Sequence, residues 1–147
     1  MPPSFKKVIL DNGLRIILVP QEDNLAATVL VLVAAGSKYE TKEINGLSHF
    51  LEHMCFKGTT NRPKSSQISE SLDSLGASYN AFTSREYTGY YAKVQAKHIS
   101  SVLDIIPDLY LNPIFDSKEI DKERGVIIEE INMYEDLPTH RVQELFM

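Results

Sequence analysis

The sequence predicts an α+β fold, a mainly antiparallel β-sheet flanked by helices. Three observations lead to it. Apolar runs of strand length recur and are joined by turn-forming residues; other segments carry apolar residues at helical spacing; Gly, Pro and capping residues separate the two kinds. The 147 residues, 43% apolar and 24% charged, are enough for one domain with a real core.

Residues 5–10 and 14–19 are apolar runs separated by Asp11-Asn12-Gly13, a hairpin signal because Asn and Gly accept positive φ at low cost. Residues 28–35 (TVLVLVAA) are a β-branched run ending at Gly36. Without apolar–polar alternation, that strand is expected to be covered on both faces. A helix over 47–57 should stop at Gly58, and a second over 67–75 should stop at Gly76. Residues 78–84 and 86–94, the latter rich in Tyr and Thr, read as strands joined by a short turn. Residues 98–111 follow as a helix; Pro107 inside it predicts a kink, and Asn112-Pro113 ends it.

Asp116-Ser117-Lys118-Glu119 fits a capping box with Asp116 as N-cap, opening a helix to about residue 134. Gly125 within it costs about 1 kcal/mol relative to Ala, so a close approach is expected there. Asp136-Leu137-Pro138 can start a last helix, with Pro in its first turn. Val142, Leu145 and Phe146 continue at i, i+3, i+4, and the pattern is still running at Met147, so a truncated domain is expected. Residues 1–147 read as one unit, without repeat, linker or low-complexity segment.

No run of about 18 apolar residues occurs, so no membrane span is expected. The N-terminal MPPSFKKVIL lacks the apolar region of a secretory signal, which favours the cytoplasm or an organelle matrix. A net charge of -5, with Lys6-Lys7 the longest basic patch, argues against a nucleic-acid partner. Cys55 is the only cysteine, so no internal disulfide can form.

Residues 48–59, SHFLEHMCFKGT, carry the densest chemistry. At 100° per residue, His49, Glu52 and His53 fall within about a third of the helix circumference. Two neutral imidazoles one turn apart can both reach one Zn²⁺ at about 2.0–2.1 Å. Zinc lowers the pKa of its water towards about 7, and an adjacent glutamate can then carry that proton to a leaving amine. Catalytic zinc normally takes three protein ligands, however, and a bare histidine pair on an apolar helix is more often ordinary core or surface. The decision rests on a third ligand.

The helix after Asp116 offers Glu123, Glu129, Glu130 and Glu135. Glu123 and Glu130, seven apart, share a face with Ile127 and Tyr134, whereas Glu129 turns to solvent. In isolation this helix reads as a charged exposed stripe. A nearby metal would give Glu130 a reason to stand on the apolar face.

H-x-x-E-H is the inverzincin order of zinc hydrolases. With residues 76–91 (GASYNAFTSREYTGYY) and 123–138 (ERGVIIEEINMYEDLP), the chain resembles the pitrilysin-type metallopeptidases. The family pattern places a Glu 76 residues after the second His; here residues 54–129 are those 76, and Glu130 falls in register. The resemblance runs from the hairpin DNGLRIILVP to EDLP, almost the whole chain. It implies the N-terminal part of a zinc-dependent metalloendopeptidase, with His49, His53 and Glu130 as zinc ligands. Glu52 would be the general base on zinc-bound water, and Glu123 the catalytic-site carboxylate that orients a ligand histidine.

The resemblance further implies that Asn80 and Ala81 pair with the backbone of a peptide or unfolded polypeptide substrate; Phe82 is placed to flank a substrate side chain, although an aromatic in a strand is usually core. Read from the residues alone, 78–84 is an ordinary edge strand. A second homologous domain or subunit is implied too; it supplies an Arg/Tyr pair that does not map onto this chain. The rival readings are a non-catalytic peptide-binding or scaffold subunit of the same fold, and a zinc-binding but inactive fragment. Non-catalytic members typically lose a motif residue, and here all four are intact. A purely structural zinc is disfavoured because three ligands leave the metal open.

Cys55 lies about 200° around the helix from His53 and is expected to be buried and inert. His98 and His140 are expected to be solvated, and Tyr87, Tyr90 and Tyr91 to pack the sheet.

Overall fold

The structure, a computed structural model, describes residues 4–146. Strands β1 (Lys6–Ile9) and β2 (Arg15–Leu18) pair antiparallel, with Val8 opposite Ile16. Gly13 adopts φ 85°, and Asn12 Oδ1 accepts the Leu14 N–H at 3.0 Å, so the turn closes through the two residues that favour it. The hairpin is a two-stranded sheet of its own.

The main sheet is antiparallel in the order β3-β5-β4, built from β3 (Ala26–Val33), β4 (Ser78–Thr83) and β5 (Thr88–Gln95). One face carries Val29, Val31, Tyr90, Ala92 and Val94 into the core. Helices α1 (Leu47–Cys55), α2 (Ser65–Asp73) and α3 (Ile99–Leu111) complete that core through Cys55, Ile68, Leu72, Val102, Ile106 and Leu109. Burial of these side chains contributes roughly 1.5–3 kcal/mol each.

The second face of the sheet overturns the expectation for residues 28–35. Leu30 and Leu32 are 50% and 57% exposed, so β3 is covered on one side only. The helices stack on the Val29–Val31 face, and the absence of sequence alternation reflects apolar residues on an open face. Tyr87 also departs from its expected place: it lies in the β4–β5 turn, exposed, with its ring edge-on to Phe82 at 6.1 Å. Tyr90 is buried as expected, its hydroxyl donating to Cys55 Sγ at 3.4 Å.

Helix α3 continues through Pro107 to Leu111. Helix α4 (Ser117–Glu135) starts at Asp116, whose carboxylate accepts the N–H groups of Lys118 and Glu119 at 2.9 and 3.3 Å. Helix α5 (Pro138–Phe146) opens on its proline, which forgoes a donor the first turn cannot use. Among the described residues, no helix is long and apolar enough to cross a membrane.

Gly125 has no atom within 4 Å of where a Cβ would stand, so the close approach expected there is absent. It is a helical glycine with open space beside it. Gly125→Ala should therefore raise stability by about 0.5–1 kcal/mol, read as a higher urea midpoint with an unchanged slope; an unchanged midpoint would refute it.

Between α1 and α2 the chain is fastened to α3. Buried Asp108 accepts from Thr59 Oγ1 at 2.6 Å, Asn61 Nδ2 at 2.7 Å, Arg62 Nη1 at 2.6 Å and Asn112 Nδ2 at 2.8 Å. Gly58, at φ 144°, lies so close to this loop that a Cβ would meet the Pro63 carbonyl oxygen at 2.5 Å. The C-terminal end of α1 is thereby held against α3.

Candidate metal centre

Helix α1 presents its polar stripe towards α4. The sequence supplies no side-chain cap at its N-terminus; instead Glu40 accepts the N–H groups of Gly46 and Ser48, each at 2.7 Å. The bond with the Ser48 side chain is the largest influence holding the Glu40 carboxyl below the usual range. A carboxylate at the positive end of a helix is stabilised there, and the first turn bearing His49 is fixed by it.

One turn on, His49 Nε2 and His53 Nε2 lie 3.1 Å apart. Glu130 Oε2, from α4, stands 3.9 Å from the first and 3.6 Å from the second. Glu130 is half-buried on the same side of α4 as buried Glu123, while Glu129 is exposed, as the seven-residue spacing predicts. Among the described residues, His49, His53 and Glu130 form the one group of three or more His, Cys, Asp or Glu whose ligand atoms converge, all within 4.8 Å of one another.

The donor set fits a divalent metal. Ligands at 2.0–2.1 Å in a tetrahedron are about 3.3–3.4 Å apart, close to the separations found. The protonation pattern agrees. His53 Nδ1 lies 2.8 Å from Glu123 Oε1, and Lys57 Nζ lies 2.5 Å from Glu123 Oε2. Burial pushes the Glu123 carboxyl up, but the bonds from Lys57 and His53 outweigh it and hold the group below its ordinary range. An ionised carboxylate can only accept, so His53 Nδ1 donates to Glu123 and Nε2 is the ring nitrogen directed at His49 and Glu130. Two imidazole nitrogens and a carboxylate oxygen are thus gathered as a divalent cation would need them.

Glu52 sits on the same stripe. Its Oε2 accepts from Thr83 Oγ1 at 2.5 Å, at the end of β4. Thr83 is in turn 3.3 Å from Thr88 Oγ1, which donates to the Ala35 carbonyl at 3.0 Å. A cavity of about 320 Å³ opens beside His49, bordered by Glu40, Asn45, Thr83 and Arg85. Of the three converging residues, His49 alone borders it.

Asn80 and Ala81 lie on β4, which among the described residues is an edge strand paired with β5 alone. Asn80 is exposed and Ala81 half-buried. The Ala81 N–H points to the free edge, where Asn80 Oδ1 accepts it at 2.9 Å. Phe82 projects from the uncovered face of the sheet across Gly89, close enough that a Cβ there would meet its ring at 2.3 Å.

Cys55 is buried away from the cluster, and burial pushes its thiol up. His98 is half-buried at the start of α3 rather than solvated, and the side chain of His140 lies outside the described residues. Thr83, Lys57 and Glu40 belong to the site and were not found from the sequence. Nothing local in the sequence marks any of the three.

A model of the family described as Insulinase (Peptidase family M16) matches residues 15–147. A Bacillus subtilis protein named uncharacterized zinc protease YmxG is 46% identical over 141 residues, covering 96% of this chain and 34% of its own length. The mitochondrial-processing peptidase subunit beta of Dictyostelium discoideum is 42% identical over 128 residues, covering 87% of this chain and 27% of its own. Cytochrome b-c1 complex subunit 1 of Mus musculus is 40% identical over 129 residues, covering 88% and 26%. A solved structure, a protease from Helicobacter pylori, matches with a TM-score of 0.89 at 29% identity, over 95% of this chain and 34% of that one. The chain thus spans 34% or less of the length of these relatives.

Proposed function

The chain belongs to the insulinase (peptidase M16) family, and from that premise we propose that residues 1–147 are the N-terminal zinc-binding part of a metalloendopeptidase domain. The convergence of His49, His53 and Glu130 on one point, with Glu52 on the same helix stripe, is the observation that carries it. These three residues would hold Zn²⁺. Bound there, zinc supplies Lewis acidity, bringing the pKa of a water towards about 7 and polarising a carbonyl.

The protein's own groups do the rest. Thr83 fixes one oxygen of Glu52, and the other takes the proton of the attacking water and returns it to the leaving amine, as a general base turned acid. Glu123 holds the His53 ring in its ligating tautomer. The free edge of β4 receives an extended peptide or unfolded polypeptide by strand addition, with Asn80 and Ala81 at the pairing positions. Zinc is the metal in the names of relatives as well as the one this donor set suits. A second homologous domain or subunit completes the active form in this reading, in keeping with a relative named as a subunit of a processing peptidase.

The test is metal analysis of the purified protein beside a quenched-peptide cleavage assay, with and without chelator. One zinc per chain and chelator-sensitive cleavage are expected. Glu130→Gln should weaken zinc binding by about 10–100-fold or more, since it exchanges a charged ligand for a neutral one; unchanged metal content would remove Glu130 from the ligand set. A second reading, a non-catalytic subunit of the same fold, is favoured by the relative named as a subunit of cytochrome b-c1. Stoichiometric zinc without cleavage in the full-length protein would select it.

A further inference from the structure

Lys57 lies just beyond the end of α1 and is not among the residues that face the metal centre. Its ammonium nevertheless reaches Glu123 Oε2 at 2.5 Å, while Glu123 Oε1 holds His53 Nδ1 at 2.8 Å. Glu123 is 3% exposed. Both oxygens of one buried carboxylate are therefore committed: one to a ligand histidine in the middle of α1, the other to the lysine that follows the same helix.

The base from which Lys57 reaches is rigid. Its N–H donates to the Met54 carbonyl at 3.1 Å. The next residue, Gly58, is wedged against Pro63 and accepts the Ile114 N–H at 2.9 Å through its carbonyl. Thr59 is tied to Asp108. A lysine on a mobile surface loop contributes little through an exposed ion pair; this one is anchored at its backbone and only 27% exposed at its side chain.

Glu123 and Glu130 are seven residues apart on α4, about 10.5 Å along the axis. Holding both oxygens of Glu123 against α1, at His53 and at Lys57, adds to the packing of the two helices a polar restraint on the slide and rotation of α4 at this residue. That in turn sets where Glu130 arrives relative to His49 and His53.

We propose that Lys57 is a positioning residue of the metal centre: by clamping Glu123 from the side opposite His53, it holds the His53 ring and the α4 register that brings Glu130 to the two histidines. The inference rests on the zinc-site reading above and adds to it a residue that touches neither metal nor substrate.

A double-mutant cycle tests it, with zinc affinity read by competition against a chromophoric chelator on the full 147-residue chain. Lys57→Met should weaken zinc binding by about tenfold, the lower end of the range for groups that support metal ligands. Lys57→Arg, which keeps charge and reach, should recover most of that loss. In a Glu123→Gln background, Lys57→Met should cost less than about twofold more, because the group it acts through is gone. Each variant is assayed below the melting transition of its metal-free form.

Three results would overturn the inference. They are wild-type affinity in Lys57→Met, equal losses in Lys57→Met and Lys57→Arg, and losses from Lys57→Met and Glu123→Gln that simply multiply. Failure of the underlying reading looks different: the wild-type chain itself would then take up no zinc, and both would fall together.

Discussion

In a preparation that cleaves peptides, Glu52→Gln is expected to lower hydrolysis by about 10²–10⁴-fold, the contribution of a positioned general acid–base group, while leaving the zinc content at the wild-type value. The two halves of that expectation come from different contacts. Glu52 stands outside the converging set of His49, His53 and Glu130, so the substitution removes no ligand. Gln retains a carbonyl oxygen where Glu52 Oε2 accepts from Thr83, so the side chain keeps its place at the end of β4. What it loses is the ability to take a proton. The fall should appear in kcat, with KM little changed, because no substrate-pairing group has been altered. Cleavage within tenfold of wild type would show that another group takes the proton, and a parallel loss of zinc would show that Glu52 helps to bind it.

Where partners lie one or two helical turns apart, the sequence displays them. His49 and His53 are four apart, and Glu123, Ile127 and Glu130 recur on one face of α4 through the period of the helix alone. The Asp11-Asn12-Gly13 turn is equally local, its geometry being fixed by the residues within it. That Glu130 belongs with the histidines was not visible in the periodicity; it came from the 76-residue interval of the family pattern.

Contacts closed by the fold were out of reach. Thr83 is 31 residues from Glu52, and Lys57 is 66 residues before the Glu123 it holds. Neither carries a local signal, since a threonine in a strand and a lysine after a helix are ordinary. The face of β3 failed for a related reason. Leu30 and Leu32 are apolar whether or not something covers them, so the pattern recorded their chemistry and not their surroundings. A glycine inside a helix suggests crowding, but exposed Gly125 is simply tolerated at a cost the rest of the helix carries.

The second large effect concerns the support beneath the site. Asp108→Ala is expected to destabilise the fold by about 3–5 kcal/mol, the usual consequence of removing one partner of a buried ion pair. Four donors converge on this carboxylate, two on each oxygen, and all would lose their acceptor at once. Arg62 would keep its pairing with exposed Asp104 but not the buried one. For a chain of this length, each kcal/mol moves the melting temperature by about 2–4 °C, so a fall of roughly 6–20 °C should be seen.

The pH dependence gives an independent check. Burial raises the Asp108 carboxyl, but its bonds from Thr59, Asn112, Asn61 and Arg62 more than offset that and hold it below the ordinary 3.8. A carboxyl lowered by folding contributes stability above its unfolded value, and that contribution disappears as pH falls through the folded one. The gap between wild type and Asp108→Ala, measured by urea unfolding, should therefore be full at neutral pH and narrow as the pH drops below about 4. A gap that stays constant down to about pH 2, or a loss under about 1 kcal/mol at neutral pH, would show that Asp108 is not ionised in its cluster. Because Thr59 and Arg62 fasten the segment that follows Lys57, the variant should also bind zinc more weakly at temperatures where it remains folded. That result would couple the stability of the loop to the geometry of the candidate metal centre through the end of α1.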